Sequence, residues 1–515
     1  MTSESEASNP VTRNDPPVVG QDGTSRNASV PLHRLPTEIL IKILYLCRRS
    51  LRDIGLAHVC RRWRNIVLAM PEFWASMLKH IGSVSWYRRP RWRAVELLDY
   101  CLALSSPRTI VVRLLFTGAY ERAILAPHAS RITHLSVTLY TSQAALGLGG
   151  LLRDGLPNLQ YLRYESRVRY PSERVETLSW SLPKLRPFLE SSSLQRLTLR
   201  KSRLLSPSVF LAELAQHASS LASLTHLTLN RAGGDSIIQP WYTSPLSDET
   251  EIVRLPNLRA LTLVDGLYGI FTALRRLDIP TTVNLQLCVI QAGVLIGNLF
   301  EDTTILRRHI LPSLDRIYIG RGNTRPSDRI KLFGYNHDGV KRLCISRWYD
   351  GSIYTLGELL DTLGRLCTET ALTINIPSLE ECRQNWMVPS CWPHRYLTRL
   401  ELGGTYLQSK TAFARWFVAI GEGLPAGRDR TLCWLLDVSR DRDAEAIAQE
   451  LESILDVLCK SPRSASARLE LYGTMWPKEV ATSVRDVPTN PARCREVVGP
   501  FIPRLAQWVE DVAVL

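Results

Sequence analysis

The sequence predicts an α/β chain, with a small helical segment near the N-terminus and a long, irregular array of parallel strands and helices after it. Three observations predict this. Residues 35 to 74 carry large apolar side chains at helical spacing. From residue 132 onward an L-x-x-L-x-L pattern recurs, eight times in full or conservative form. The 515 residues are 45% hydrophobic and 22% charged, which excludes a fibrous or mostly disordered chain.

The first thirty residues are polar, rich in Ser, Asn, Thr, Pro and Asp, with no apolar core of a signal peptide. They are expected to be a disordered tail. Structure is expected from Pro31. Ile39, Leu40, Ile43, Leu44 and Cys47 trace one face of a helix. Pro36 suits its first turn and Glu38 the positive end of its dipole. Ser50 with Asp53 resembles a capping box. Ile54 to Met70 reads as a further helix carrying Val59, Trp63 and Val67 at four-residue steps, and Pro71 marks its end. So many large apolar groups exceed the needs of one small core. Either a partner covers the surplus or the rest of the chain does, and the residues alone leave both open.

This segment resembles an F-box of the type common in fungal proteins. The matching residues are Leu35-Pro36, Glu38-Ile39-Leu40, Ile43, Leu51, Asp53-Ile54, Leu56, Val59-Cys60, Trp63 and Pro71-Glu72-Phe73-Trp74. The resemblance implies docking on the Skp-type adaptor of a cullin–RING (SCF) ubiquitin ligase. It implies that Leu35, Pro36, Ile39, Leu40 and Ile43 meet the adaptor. Val59, Cys60 and Trp63 complete that surface or support it from the core.

Beyond it, residues 92 to 104 read as a helix and 108 to 115 as a strand. The repeats begin at Leu194, Leu224, Leu258 and Leu274, with variants at Ile132, Leu314, Val340 and Leu397. Fainter strands are expected at Leu372 to Ile376, Leu435 to Val438 and Leu469 to Leu471. The uncharged stretch from Ile279 to Phe300 reads as a strand and a short helix rather than a membrane span. The last two Leu of each copy point into a core that one strand and helix cannot close alone, so copies must stack. The pattern resembles a leucine-rich-repeat solenoid with convex helices. It departs from that family in pitch, and Ser202, Ala232, Gly266 and Thr282 replace the expected Asn or Cys. The expected organisation is a tail at 1–30, the F-box at 31–76, a linker and first helix at 77–107, the solenoid at 108–476 and a C-terminal cap at 477–515.

The net charge is +14, and 54 of the 63 basic residues are Arg. Arg suits bidentate pairing with carboxylate or phosphate. Strand alternation places Arg163, Arg196, Arg200, His226, Arg276, Arg316, Tyr318, Arg342 and Arg399 outward, with Glu401 and Asp278 offsetting part of their charge. This predicts a basic face able to bind an acidic or phosphorylated protein segment. The alternative is that the surface is simply Arg-rich.

Chemistry is sparse. There is no HExxH, GxSxG or strand-borne GxGxxG motif. The stretch from Gly404 to Thr411 lacks the second Gly of a phosphate loop. Cys382, Cys391 and His394 fit no usual zinc spacing. Eleven cysteines without a CxxC pair indicate reduced thiols and a cytoplasmic or nuclear protein. The basic-aromatic run from Trp86 to Arg93 reads as a linker or helix start rather than a nucleic-acid site. The expected function is a non-catalytic substrate receptor, without cofactor or metal, bound to a Skp-type adaptor and through it a cullin. The alternatives are an interaction scaffold outside a ligase and a basic nucleic-acid-binding repeat protein.

Overall fold

The structure is a computed structural model of the chain. It describes residues 31–47, 50–81, 91–116, 118–139, 142–166, 193–200, 221–230, 252–289, 306–314, 316–321, 330–347, 372–376, 397–403, 430–437, 444–458, 467–474, 491–507 and 511–514. The chain divides into two compact units, Met1–Ile110 and Val111–Leu515.

The first unit is helical. A 3-10 turn at Pro31–Arg34 precedes helix α1, Thr37–Cys47. A 3-10 helix at Leu51–His58 follows, then α2 at Arg61–Leu68, α3 at Pro71–Ile81 and α4 at Arg91–Leu104. The capping box forms: the Ser50 N–H donates to Asp53 Oδ2 at 2.6 Å. The single helix expected from Ile54 to Met70 is instead two. Cys60 is extended (φ −158°, ψ 171°) and caps α2, its Sγ accepting from the Trp63 N–H at 3.4 Å. That break resets the helical phase, so Val59 and Trp63 do not share a face. Val59 is 54% exposed and Trp63 only 5%.

Leu40, Leu44, Phe73, Trp74, Met77, Leu78, Cys101 and Leu102 close this core. The Trp74 indole donates to the Val67 carbonyl at 2.8 Å. Its ring meets Phe73 and Tyr100 edge-on, at 5.4 and 5.3 Å between centroids. Arg62 donates to the Leu35 carbonyl at 2.7 Å and so ties the start of α1 to α2.

The second unit is built on a fifteen-stranded sheet. Its early strands are β1 (Ile110–Phe116), β2 (Ile132–Leu139), β3 (Tyr161–Ser166), β4 (Arg196–Arg200) and β5 (His226–Asn230). Then come β6 (Val253–Arg254), β7 (Ala260–Asp265), β8 (Leu277–Asp278), β9 (Asn284–Val289), β10 (Arg316–Arg321), β11 (Ile330–Tyr335) and β12 (Lys341–Arg347). The last are β13 (Leu372–Ile376), β14 (Leu397–Gly403), β15 (Arg430–Asp437), β16 (Ala467–Thr474) and β17 (Asp511–Val514). The spatial order is β1-β2-β3-β4-β5-β7-β9-β12-β11-β10-β13-β14-β15-β16-β17, while β6 and β8 form a separate pair. Among the described helices of this unit, Ser142–Asp154 lies between β2 and β3 in sequence, and Leu267–Arg276 between β7 and β8. No helix among the described residues is long and apolar enough to cross a membrane.

The repeat leucines line up across the parallel strands. Leu135, Leu162, Leu197, Leu227, Leu261 and Leu285 are register partners, and all six are buried. The residue just before the first Leu of a repeat links neighbouring repeats. Asn158 donates to the Ser130 carbonyl, Ser193 to Leu159, Ser223 to Leu194 and Asn257 to Ala222, at 2.6 to 2.9 Å. This ladder explains why LPNL recurs, and it sits at a different position from the Asn or Cys of the leucine-rich-repeat pattern. Asn257→Ala is expected to cost about 1 kcal/mol, the net worth of one hydrogen bond. An unchanged urea midpoint would refute that role.

Two expectations fail here. Leu274-x-x-Leu277-x-Ile279 is not a strand of the main sheet. Leu274 lies in the helix Leu267–Arg276, and Leu277 pairs with Val253 in the small sheet. Its apolar spacing serves a helix and a short strand, and the main-sheet strand follows at β9. Nor are all strands parallel: β11 runs antiparallel to both β10 and β12. The β11–β12 link is a tight turn, with Gly339 at φ +74° and Asn336 Oδ1 accepting from the Val340 N–H at 2.8 Å. So short a link cannot make the crossover that parallel strands need. Inward-facing Gly334 on β11 is small because Leu314 occupies its side-chain space; a Cβ there would lie 2.6 Å from Leu314 Cδ1.

Candidate docking surfaces

Helix α1 is apolar nearly all round, and its own unit covers one stripe. Leu40 and Leu44 are fully buried. Ile39 (40%), Ile41 (37%), Tyr45 (49%) and Leu46 (71%) remain exposed. With 3.6 residues per turn, Ile39, Ile43 and Leu46 form one outward stripe, and Ile41 with Tyr45 a second. Pro36 is exposed, while Leu35, Ile43 and Cys60 are half-buried. Leu40, expected to meet a partner, belongs instead to the core, and Trp63 takes the second of its two expected roles, supporting the surface from the core. Ile41, Tyr45 and Leu46 escaped the sequence reading, which selected a single helical face. The missed signal was that a helix apolar on more than one face needs more than one cover.

The residues of β2 to β9 that alternate with the buried leucines fall into three rows, the third of them partly buried at Glu165, Val264 and Cys288. The row at the strand starts is His134, Tyr161, Arg196, His226, Ala260 and Asn284. The middle row is Ser136, Arg163, Thr198, Thr228, Thr262 and Gln286. The third is Thr138, Glu165, Arg200, Asn230, Val264 and Cys288. Glu165 is the one carboxylate among them, and it pairs with Arg163 at 3.3 Å.

The arginines expected on one face therefore differ. Arg196 is exposed; Arg163 is paired; Arg200 is half-buried, its Nε enclosed without a partner. Arg276 ends a helix and is not on the sheet face. The Arg342 guanidinium donates to the Thr282 carbonyl, so it is engaged within the chain. Arg316 and Arg399 share a register line through Thr373, and Tyr318 lies opposite Asn375. The Gly404 to Thr411 stretch and the Cys382, Cys391 and His394 group lie outside the described residues.

Among the described residues no cluster could hold a metal ion. Cys47, Cys60, Cys101, Cys288, Cys344 and Cys494 are free of disulfide bonds, and burial pushes the thiols of Cys101 and Cys494 up to about 12 and about 11, leaving them poor nucleophiles.

A short helical unit that exposes one apolar helix beside a complete core is a docking module. Residues 32–80 match the F-box-like family, and they form an F-box-like domain. Such a domain implies binding to a Skp-type adaptor. No curated protein matches the chain.

Proposed function

We propose that this chain is a non-catalytic substrate receptor of an SCF-type cullin–RING ubiquitin ligase in the cytoplasm or nucleus. The observation that carries the reading is the stripe of exposed Ile39 and Leu46 with half-buried Ile43 between them, inside the F-box-like domain, whose core closes without it. The α1 face docks the adaptor, with Pro36, Ile39, Val59 and the half-buried Leu35, Ile43 and Cys60 contributing. The parallel sheet is a leucine-rich-repeat-like solenoid of fungal type that binds the target protein. The stacked leucine rows support that part, as do the links between repeats. Ubiquitin transfer then follows from proximity, because tethering raises the local concentration of target at the ligase.

The test is co-purification with a Skp-type adaptor and a cullin. Recovery of both supports the ligase reading. Adaptor without cullin favours a scaffold outside a ligase, and neither overturns the docking assignment.

A further inference from the structure

Resting on the docking role given above to α1, we infer that a cationic belt around the docking stripe, Arg34, Arg61 and Arg64 with Lys42, steers an acidic face of the Skp-type adaptor into place and sets the rate of association. Most of the chain's excess charge sits on this unit. Residues 31–110 hold fourteen Lys and Arg against five Asp and Glu, an excess of nine in a chain whose net charge is +14. The acids of this unit do little to offset it. Asp53 is held in the capping box, and Glu72 pairs with Arg108. Glu96 and Asp99 lie on α4. That leaves Glu38 as the one exposed carboxylate between Pro31 and Ile81.

The cations are placed around the apolar stripe. Arg62 donates to the Leu35 carbonyl and to Thr37 Oγ1, which sets the start of α2 beside the start of α1. Arg34 and Arg61 belong to that end. Arg64 Nε donates at 3.1 Å to the carbonyl of Ala57, two residues before exposed Val59. Lys42 follows Ile39 by three residues and precedes Leu46 by four, so it stands between them on one side of α1. Arg34, Lys42, Arg61 and Arg64 are all exposed, and none pairs with a carboxylate among the described residues.

Helix α2 carries these charges at a cost to its own stability. Its first turn is Arg61-Arg62-Trp63-Arg64, with no acid, at the positive end of the helix dipole. Its cap is the Cys60 thiol rather than a hydroxyl or carboxylate. Local stability favours the reverse arrangement, so cations held there answer to something outside the helix. A phosphate backbone would neutralise the arginines and leave Ile39 and Leu46 bare. A protein whose carboxylates ring an apolar groove covers both. Exposed pairs at such a rim add little to affinity, but they speed encounter. At 0.15 M salt the charges act over about 8 Å, so steering weakens as salt is raised.

The test measures association and dissociation rates of the full chain with a purified Skp-type adaptor, from about 50 to about 500 mM NaCl. The association rate should fall about tenfold or more across that range, while the dissociation rate changes less than about twofold. At the lowest salt, Arg61→Glu with Arg64→Glu should lower the association rate about tenfold or more, and the milder Arg61→Gln with Arg64→Gln about threefold. Arg61→Glu alone puts a carboxylate at the start of α2, so the melting temperature should hold or rise. A marked fall would make Arg61 a structural residue and count against the belt. Arg254→Glu with Arg495→Glu, an equal charge change on exposed residues of the second unit, should alter association less than about twofold. An association rate indifferent to salt or to the α2 arginines overturns the inference. So does a loss that appears only in the dissociation rate, or one that the control pair matches. Failure of the docking assignment looks different, because the adaptor then binds at no salt concentration.

Discussion

Ile39→Glu combined with Leu46→Glu is expected to abolish capture of a Skp-type adaptor while leaving the chain folded. Both side chains lie on the outward stripe of α1, at 40% and 71% exposure, so neither supports the core. In the complex each carboxylate would face an apolar partner surface without a counter-charge. Interface anchors cost about 2 kcal/mol or more when lost. Two of them weaken binding on the order of a thousandfold. Adaptor pull-down measures the loss, and an unchanged thermal melt confirms the fold. Capture at the wild-type level would show that another surface docks the adaptor.

Trp74→Ala should act oppositely, unfolding the first unit rather than blunting its surface. Trp74 is 1% exposed, bonded to the Val67 carbonyl and set edge-on against Phe73 and Tyr100. It therefore joins α2, α3 and α4. Truncating a buried Trp costs about 3–5 kcal/mol. A helical unit of this size has little more than that in reserve. Hydrogen exchange across α3 and α4 in the full chain should lose its protection. Trp74→Phe keeps the ring contacts and loses the indole bond, so it should cost about 1–2 kcal/mol. Retained protection in Trp74→Ala would mean that the core is held elsewhere.

Much of the fold was legible residue by residue. The Ser50–Asp53 box and the α1 buried stripe are local features, and local spacing reports them faithfully. The repeat leucines announced strands because alternation exposes a one-faced core. Other features were not legible for equally physical reasons. Cys60 breaks a helix that periodicity joins, because capping through a thiol leaves the apolar spacing almost unchanged. The Leu274 copy has the right spacing in the wrong structure, since i, i+3 serves a helix as well as a strand start. The β11–β12 turn did carry a signal, Asn336 to Gly339 between two apolar runs, but the Val340-x-x-Leu343-x-Ile345 copy that begins directly after it has the same spacing as the parallel strands. The arginines illustrate the limit most clearly. Alternation treats Arg163, Arg196 and Arg342 alike, and only their neighbours distinguish them.

The sequence by itself determined that a helical docking segment precedes a long set of stacked strands, because both patterns depend on spacing along one chain. Tertiary structure alone decided which apolar residues of α1 remain outside, where the strand order reverses, and which guanidiniums are spent on Glu165 or a backbone carbonyl. Those outcomes depend on groups far apart in the chain. A side chain's availability is set by the partner that reaches it, and spacing carries no record of that.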